Sequence, residues 1–466
     1  MSIMNLKKYI SLLEEQDQLA RITVPVDPVL EIAAVTDRVC KLPEGGKALL
    51  FKHPAGCRFP VATNLFGSTR RVCLALGINH VDELQWRLSE LLDRLPTLDF
   101  ANLDRQLAAL PEFSRFAPIR STLPEPELIT SGQPDLSIFP FLQSWPEDGS
   151  AAGCQRYVTL PQVFTTEPDG TTPNCGLYRL QVRGPRELAI QWKTGSGAAR
   201  QAEIFQRQGK PMPVAIALGG DPAMLFSAML PLPGILDEVT FAGFLRDSAV
   251  QTVPCSTIPL QVPTGAEVII EGYVHPGEKV TEGPFGNHTG YYSAAAPAAL
   301  MRVTAIRHRP DAIIPATVVG PPPMEDCWMA VAWERLLLSF LRKLFPAVAD
   351  IHFPFEWVFH QSAIISLENP HSGMVRDITA QLWQLPWFAA SRILIFVDAA
   401  HESTKLSLAA WKCINLLESQ HDLVQDAATG RMAFDATGCR SSRKRATMNN
   451  DVVRQIERRW REYGLE

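Results

Sequence analysis

Apolar positions recur at helical spacing from the start of the chain. Leu6, Ile10 and Leu13 share one face of residues 5–16, which predicts an amphipathic helix. Leu19-Ala-Arg-Ile-Thr-Val24 is strand-like, and a helix is expected around Leu30–Lys41. Ala48-Leu-Leu-Phe-Lys52 and Pro60-Val-Ala-Thr63 are extended, and a leucine-rich stretch at 82–95 is again helical. This alternation predicts a small α/β unit. Between 111 and 150 prolines are dense and periodicity is weak, which predicts a linker wrapped over a domain surface.

The pattern then changes to short apolar runs punctuated by Gly and Pro. Tyr157-Val-Thr-Leu160, Gly176-Leu-Tyr-Arg-Leu-Gln-Val182, Glu187-Leu-Ala-Ile-Gln-Trp192, Pro213-Val-Ala-Ile-Ala-Leu218, Ile258-Pro-Leu-Gln-Val262 and Glu267-Val-Ile-Ile-Glu271 are strand candidates. Helices are expected at Ala198–Gly209 and Leu236–Arg246. Closely spaced short strands predict a barrel or sandwich. From Val303 the α/β pattern returns, with strands at Ala312–Thr317, Ser362–Leu367 and Arg392–Val397 and helices near 327–344, 373–384 and 403–416. The last segment, Asn450–Tyr463, places Val452, Val453, Ile456 and Trp460 on one helical face. Such a stripe predicts an arm packed on a neighbouring subunit or a helix docked on its own chain.

Composition narrows the classes. At 466 residues and 46% hydrophobic content, two or three globular domains are expected. A formal charge of −5 and a pI near 6.1 give no sign of a nucleic-acid partner. The basic run Arg440-Ser-Ser-Arg-Lys-Arg445 is short enough to be a solvated linker. The longest apolar runs, such as Ile393-Leu-Ile-Phe-Val397, have strand length and predict no membrane span. Met1–Lys8 leads into an amphipathic pattern and not a signal core, so a cytoplasmic protein is expected. The nine cysteines are odd in number and never spaced C-x-x-C, so neither a disulfide framework nor a zinc site is indicated.

Candidate chemistry gathers in Glu282-Gly-Pro-Phe-Gly-Asn-His-Thr-Gly-Tyr-Tyr292. Glycines and a proline force an irregular turn there. A carboxylate (Glu282), an amide (Asn287) and an imidazole (His288) occupy the same turn, which predicts a site loop in preference to a hairpin connection with incidental polar residues. Asn174 opens a strand five residues before Arg179, and strand alternation sets these two on opposite faces unless a bulge intervenes. Ala217-Leu-Gly-Gly-Asp-Pro222 is a glycine turn that meets neither nucleotide fingerprint. Pro231-Leu-Pro-Gly-Ile-Leu-Asp-Glu238 leads acids into a helix start. Gly320-Pro-Pro-Pro-Met-Glu-Asp326 is a rigid loop that opens another helix. With no G-x-S-x-G elbow, a serine hydrolase is not expected.

Taken in order, these segments resemble the UbiD family of reversible, prenylated-FMN-dependent decarboxylases. The match is collinear and spans nearly the whole chain. It includes Pro60-Val-Ala-Thr-Asn-Leu-Phe-Gly-Ser68, Asn174–Val182, Leu218-Gly-Gly-Asp-Pro222, Pro231-Leu-Pro with Glu238, Glu271-Gly-Tyr-Val274, Glu282–Tyr291, Val319-Gly-Pro-Pro-Pro-Met-Glu325 and Phe434-Asp-Ala-Thr437. The resemblance implies an α/β (α+β) chain in three parts. These are an N-terminal α/β domain (1–110), a central split β-barrel that binds the flavin (111–305) and a C-terminal α/β domain (306–440) with a helical arm (441–466). The arm implies a homodimer or higher homo-oligomer.

The resemblance also implies a chemistry: non-oxidative, reversible removal of CO2 from an α,β-unsaturated or aromatic acid by a carboxy-lyase. The family binds prenylated FMN through its phosphate with a divalent ion, usually Mn2+, and K+. A flavin prenyltransferase supplies that cofactor. Asn174 and Glu238 match the family's metal ligands. Gln191-Trp-Lys-Thr-Gly-Ser-Gly197 holds no histidine where the family places its third ligand, and Gly195 or a neighbour stands there. Leu177, Tyr178, Arg179, Gln191, Trp192, Lys193, Ser196 and Gly197 complete the implied cofactor site. Arg179 and Glu282 match the first members of the catalytic trio. Asn287 stands where relatives keep a proton-donating acid, and an amide cannot replace a general acid. A catalytically silent flavin-binding homologue is the competing expectation.

Overall fold

The computed structural model describes residues 5–123, 125, 127–130, 132–232, 236–388, 391–399, 404–418, 420–442 and 446–464. Its first helix, Leu6–Glu15, is capped by the Asn5 side chain and buries Leu6, Tyr9, Ile10 and Leu13, the face that the periodicity predicts. It leads into a four-stranded sheet ordered Leu19–Val26, Ala48–Pro54, Val61–Thr63 and Ile314–Pro315. The expectation for Ala312–Thr317 changes here. Ile314 pairs with Val61 and Pro315 with Ala62, so this strand joins the first sheet and not the last. Strand pairing between segments so remote in sequence leaves no local signal.

The middle of the chain forms a nine-stranded sheet. Its order is Tyr157–Val158, Leu180–Gly184, Glu187–Ile190, Ala296–His308, Ala266–Glu282, Met212–Gly219, Pro161–Thr166 and Pro173–Leu177, and Ile129–Thr130 pairs with Ala296–His308 off this path. The order has a consequence for shape. Pro173–Leu177 closes one end of the sheet, whereas the next strand, Leu180–Gly184, lies beside the opposite end. Only Tyr178 and Arg179 join them, a step of about 10 Å at most. The sheet must therefore curl until its two ends nearly meet. No strand ladder crosses the gap among the described residues, so the barrel is split and Arg179 sits at the seam. The strand interruption at 178–179 also suspends the alternation that sets Asn174 and Arg179 on opposite faces.

Inside the curl, Val163, Leu180, Leu188, Ile216, Ile270 and Met301 form a buried core. Two elements here escape the sequence pattern. The helix Pro222–Met229 is buried from Pro222 to Ala228, so it has no polar face to mark its period. The strand Ala266–Glu282 runs through Pro276 and Gly277 because a register shift between Val274 and Lys279 absorbs them. The expected surface linker at 111–150 is only partly one. Phe139, Phe141 and Leu142 are buried, and Phe139 stacks on Phe59 at 5.2 Å between ring centroids. Its aromatic residues outweigh its prolines once a core is available.

Besides a three-stranded sheet (Gln261–Pro263, Gln251–Pro254 and Ile119–Arg120) and a two-stranded hairpin (Phe285–Gly286 and Tyr292–Ser293), a five-stranded sheet is ordered Val348–His352, Ser362–Leu367, Ile393–Asp398, Arg431–Ala436 and Leu423–Asp426, with parallel central strands. The helix Glu325–Leu344 carries Glu325 and Asp326 in its first turn and Arg342 and Lys343 in its last, the polarity that the helix dipole favours. Ser339 on this helix donates to the Gln85 carbonyl at 2.9 Å, which fastens it to the helix Asp82–Asp93 of the first unit. The terminal helix Asn450–Arg459 buries no residue, and Val452, Val453 and Trp460 lie exposed.

Candidate active site

Arg179 organises the seam of the barrel. Its Nε donates to Glu282 Oε1 at 2.9 Å and its Nη2 to Glu282 Oε2 at 2.8 Å, a two-pronged fork. Nη2 also reaches Gln191 Oε1 at 2.5 Å and Ser293 Oγ at 3.3 Å. The guanidinium carbon lies 4.7 Å from the centre of the Phe285 ring, a cation–π contact. Glu282 is fully buried, whereas the Arg179 side chain keeps 23% exposure. Nη1 takes part in none of these bonds, so it is the donor left for a ligand. Tyr157 lies edge-tilted on Phe285 at 4.8 Å, and burial first, then the Glu282 charge, raises its phenol pKa.

The loop after Glu282 is a short hairpin in which Phe285 pairs with Ser293 and Gly286 with Tyr292. It is braced from the 111–150 segment. Asp148, fully buried, accepts from Gly286 N at 2.8 Å and from Trp145 N at 2.9 Å, and burial raises its pKa. Trp145 wedges between Gly286 and Gly320, where a Cβ would lie within 2.3 and 2.5 Å of its ring. Trp145 and Asp148 are site-forming residues that sequence reasoning missed. Their only signal was a cluster of polar and aromatic residues, Ser144-Trp-Pro-Glu-Asp148, inside a proline-dense stretch.

Asn287 occupies the hairpin tip. Its Oδ1 accepts from Thr289 N at 2.8 Å and from Thr289 Oγ1 at 2.6 Å, an Asx turn that closes the loop on itself. His288 follows, with its ring 4.7 Å from that of His360.

Beside the seam opens a cavity of about 510 Å³, lined by Asn174, Leu177, Tyr178, Lys193, Ser196, Gly197 and Glu238 among others. The structure thus brings these seven expected cofactor residues around one cavity. Ser196 caps the helix Gly197–Gln208, whose N-terminus faces this space, an arrangement suited to an anion. Gly197 is pressed against Asn174, since a Cβ there would lie 2.2 Å from Asn174 Oδ1. Glu238 Oε2 accepts from Cys175 N at 2.9 Å, and burial pushes its carboxyl up to about 8. Its helix, Glu238–Arg246, is tied to the glycine turn by an Arg246–Asp221 ion pair. Trp192 stands edge-on to Tyr178 at 5.4 Å, and Trp192 and Gln191 line a second cavity of about 410 Å³. Among the described residues no group of three or more His, Cys, Asp or Glu side chains is placed to hold a metal.

Comparison with known proteins bears on the chain's family and fold. The family profile of the 3-octaprenyl-4-hydroxybenzoate carboxy-lyase N-terminal domain matches residues 10–88, the Rift-related domain 120–322 and the C-terminal domain 327–443. An uncharacterized protein of Archaeoglobus fulgidus is 36% identical over 426 residues, covering 91% of this chain and 86% of that protein. One from Aquifex aeolicus is 35% identical over 486 residues, covering 99% of each. Among solved structures, the closed form of vanillic acid decarboxylase from Sedimentibacter hydroxybenzoicus superposes with a TM-score of 0.85 at 23% identity, covering 100% of both chains. An evolved dimeric form of the UbiD-class enzyme HmfF from Pelotomaculum thermopropionicum, in complex with prFMN, gives 0.81 at 24% identity, covering 97% of this chain and 99% of that one. Three matched domains in sequence order, on a fold shared from end to end, leave one assignment: the chain belongs to the UbiD family.

Proposed function

We propose that this protein is a carboxy-lyase that removes CO2 from an α,β-unsaturated or aromatic carboxylic acid with prenylated FMN as cofactor. The observation that carries the proposal is the Arg179–Glu282 fork at the barrel seam, next to a cavity with an anion-binding helix N-terminus. That cavity fits a flavin phosphate. Backbone N–H groups at Gly197, the Lys193 charge and the packed Asn174–Gly197 contact form a cradle with room for it. Asn174 and Glu238 offer oxygen donors, which suit a hard divalent ion such as Mn2+ set against the phosphate, with K+ beside it. Leu177, Tyr178, Gln191 and Trp192 would flank the ring system. Bound there, the cofactor supplies an electron sink for the pair left when the bond to the carboxylate carbon breaks.

The chain's own residues hold the acid and move the proton. Arg179 offers Nη1 to the substrate carboxylate, and Glu282 fixes the guanidinium in place. Proton delivery to the carbon falls to Glu282, since Asn287 has no acidic proton. With one Glu282 oxygen still on the guanidinium, the other would take up a proton from solvent and pass it to the carbon that CO2 has left. Asn287 shapes the hairpin tip and positions substrate or water. Residues 1–110 together with the strand Ile314–Pro315, residues 111–305 and the rest of 306–440 act as three units around this cleft, and the 441–466 arm joins two copies.

The test is co-expression with a flavin prenyltransferase, absorbance and mass of the bound cofactor, and a CO2-release screen over unsaturated and aromatic acids. Cofactor retention with no release from any acid would establish the second reading, a silent flavin-binding homologue. Asn287 favours that reading, because its side-chain oxygen is tied to Thr289 and no acid stands in its place.

A further inference from the structure

The cavity beside the seam is bordered by an oxygen that nothing satisfies. Gln201 lies on the helix Gly197–Gln208, is fully buried and reaches that cavity. Its Nε2 donates to the Thr172 carbonyl at 2.8 Å, which fixes the amide and leaves Oε1 as its free atom. Among the described residues Oε1 has no hydrogen-bond partner. A buried acceptor without a donor is costly, and where it borders a cavity the missing partner is a ligand's to supply.

Two further oxygen donors are set on the same stretch of chain. Asn174 Nδ2 donates to Thr165 Oγ1 at 3.1 Å, which turns Oδ1 toward Gly197, where a Cβ would lie 2.2 Å away. Glu238 Oε2 accepts from Cys175 N at 2.9 Å. Gln201, Asn174 and Glu238 are thus anchored on residues 172–175, and all three border the one cavity. Those four residues span about 10 Å at most. Gly197 and Gln201 are one helical turn apart, so they turn the same face of the helix to that stretch. Residues 193–197 bring no imidazole, and a Cβ on Gly195 would meet nothing within 4 Å.

The polarity of this wall decides what fits it. The amide oxygens and the carboxylate of these side chains accept and do not donate. A phosphate seated at the helix start does the same. Acceptors that face acceptors need a cation between them. Carboxylate and carbonyl oxygens suit the hard ions Mg2+ and Mn2+, whereas imidazole draws softer ones.

We propose that Gln201 Oε1 stands in for the absent histidine. It is the third protein ligand, beside Asn174 Oδ1 and Glu238, of a hard divalent cation that joins the chain to the cofactor's phosphate. The inference rests on the flavin reading of this cavity, and it makes the ion site an all-oxygen one that Mg2+ serves as well as Mn2+.

The test is FMN binding to the full chain after chelation, followed by flavin fluorescence with no divalent ion, with Mg2+ and with Mn2+, while the EPR signal of free Mn2+ counts the ion bound. Each ion should tighten FMN by about tenfold. Riboflavin, which has no phosphate, should not respond to either. Gln201→Leu should weaken Mn2+ by about tenfold or more and erase the FMN response. Gln201→Glu keeps an oxygen for the ion but loses the amide donor to Thr172, so it should retain both the ion and the response. That split separates a ligand from a residue that merely ties helix to strand, since a tie would fail in both variants. FMN that binds the unaltered protein equally with and without the ions overturns the proposal, even if Gln201→Leu does not fold. So does a response that survives Gln201→Leu, one that Gln201→Glu loses, or one to Mn2+ that Mg2+ cannot reproduce, which would mean a nitrogen ligand. The two readings fail separately. FMN that never binds, whatever the ion, removes the flavin reading and this inference with it. Ion-independent FMN binding removes this inference alone, and a Gln201-dependent response with no CO2 release from any acid removes the decarboxylase reading alone.

Discussion

The Arg179–Glu282 pair makes a quantitative prediction about coupling. Glu282 has no exposed surface, and both its oxygens accept from one guanidinium. Arg179→Met would leave that carboxyl in the interior without its partner. Removing one member of a buried pair costs about 3–5 kcal/mol, because the other charge stays desolvated. The 23% exposure of Arg179 admits some water, which favours the lower end, about 3 kcal/mol. Glu282→Met should cost less, about 1–2 kcal/mol, since the guanidinium can still turn to Gln191, Ser293 and solvent. In the double variant the stranded carboxyl is gone, so its loss should fall short of the sum by about 2 kcal/mol, well beyond the scatter of independent sites. The assay is urea unfolding of the cofactor-free protein, with the four midpoints compared at pH 7.5, alongside CO2 release by the loaded enzyme, which either single change should abolish. If the two single losses add to within about 0.5 kcal/mol, the pair is not coupled and the fork does not hold the site together.

Other predictions follow from particular contacts. Asn287→Asp should preserve the hairpin, because an aspartate oxygen can still accept from Thr289 N and Oγ1, and CO2 release should stay the same or rise; collapse of activity with flavin still bound would count against the position as a donor site. Glu267 is fully buried, accepts from Ile313 N and lies 3.9 Å from Lys7 Nζ, and burial, which outweighs both, pushes its carboxyl up to about 7. A raised acid pKa means that the folded state holds its proton longer than the unfolded one, so stability falls as pH rises from the ordinary carboxyl range through 7. Glu267→Gln should therefore unfold later than the parent at pH 8, by up to about 3 kcal/mol, and show little advantage at pH 4; an equal effect at both values would break the argument. Deletion after Ser442 should shift the mass in light scattering toward the monomer, since the helix Asn450–Arg459 leaves Val452, Val453 and Trp460 uncovered by its own chain.

Elements with a polar and an apolar face were determined by the local sequence. The helix Leu6–Glu15 and the amphipathic terminal helix follow from spacing, because each carries its own period, whereas the strands Ser362–Leu367 and Ile393–Asp398 are buried along all or most of their length and are marked only by short, β-branched-rich apolar runs. The site loop stood out by its residue types, Glu282, Asn287 and His288, whereas Arg179, Asn174 and Glu238 entered only through the collinear motifs. The tertiary structure alone decided what those groups face. Arg179 meets Glu282 because two residues must bridge the ends of a curled sheet, a demand set by strand order and not by any local pattern. Asp148 and Trp145 became parts of the site only when a proline-dense segment was drawn into the core, and His360 met His288 only when the last unit closed over the hairpin. The helix Pro222–Met229 and the strand Ile314–Pro315 stayed hidden for related reasons. An element buried on every side shows no period, and a pairing between distant segments leaves no trace in either one.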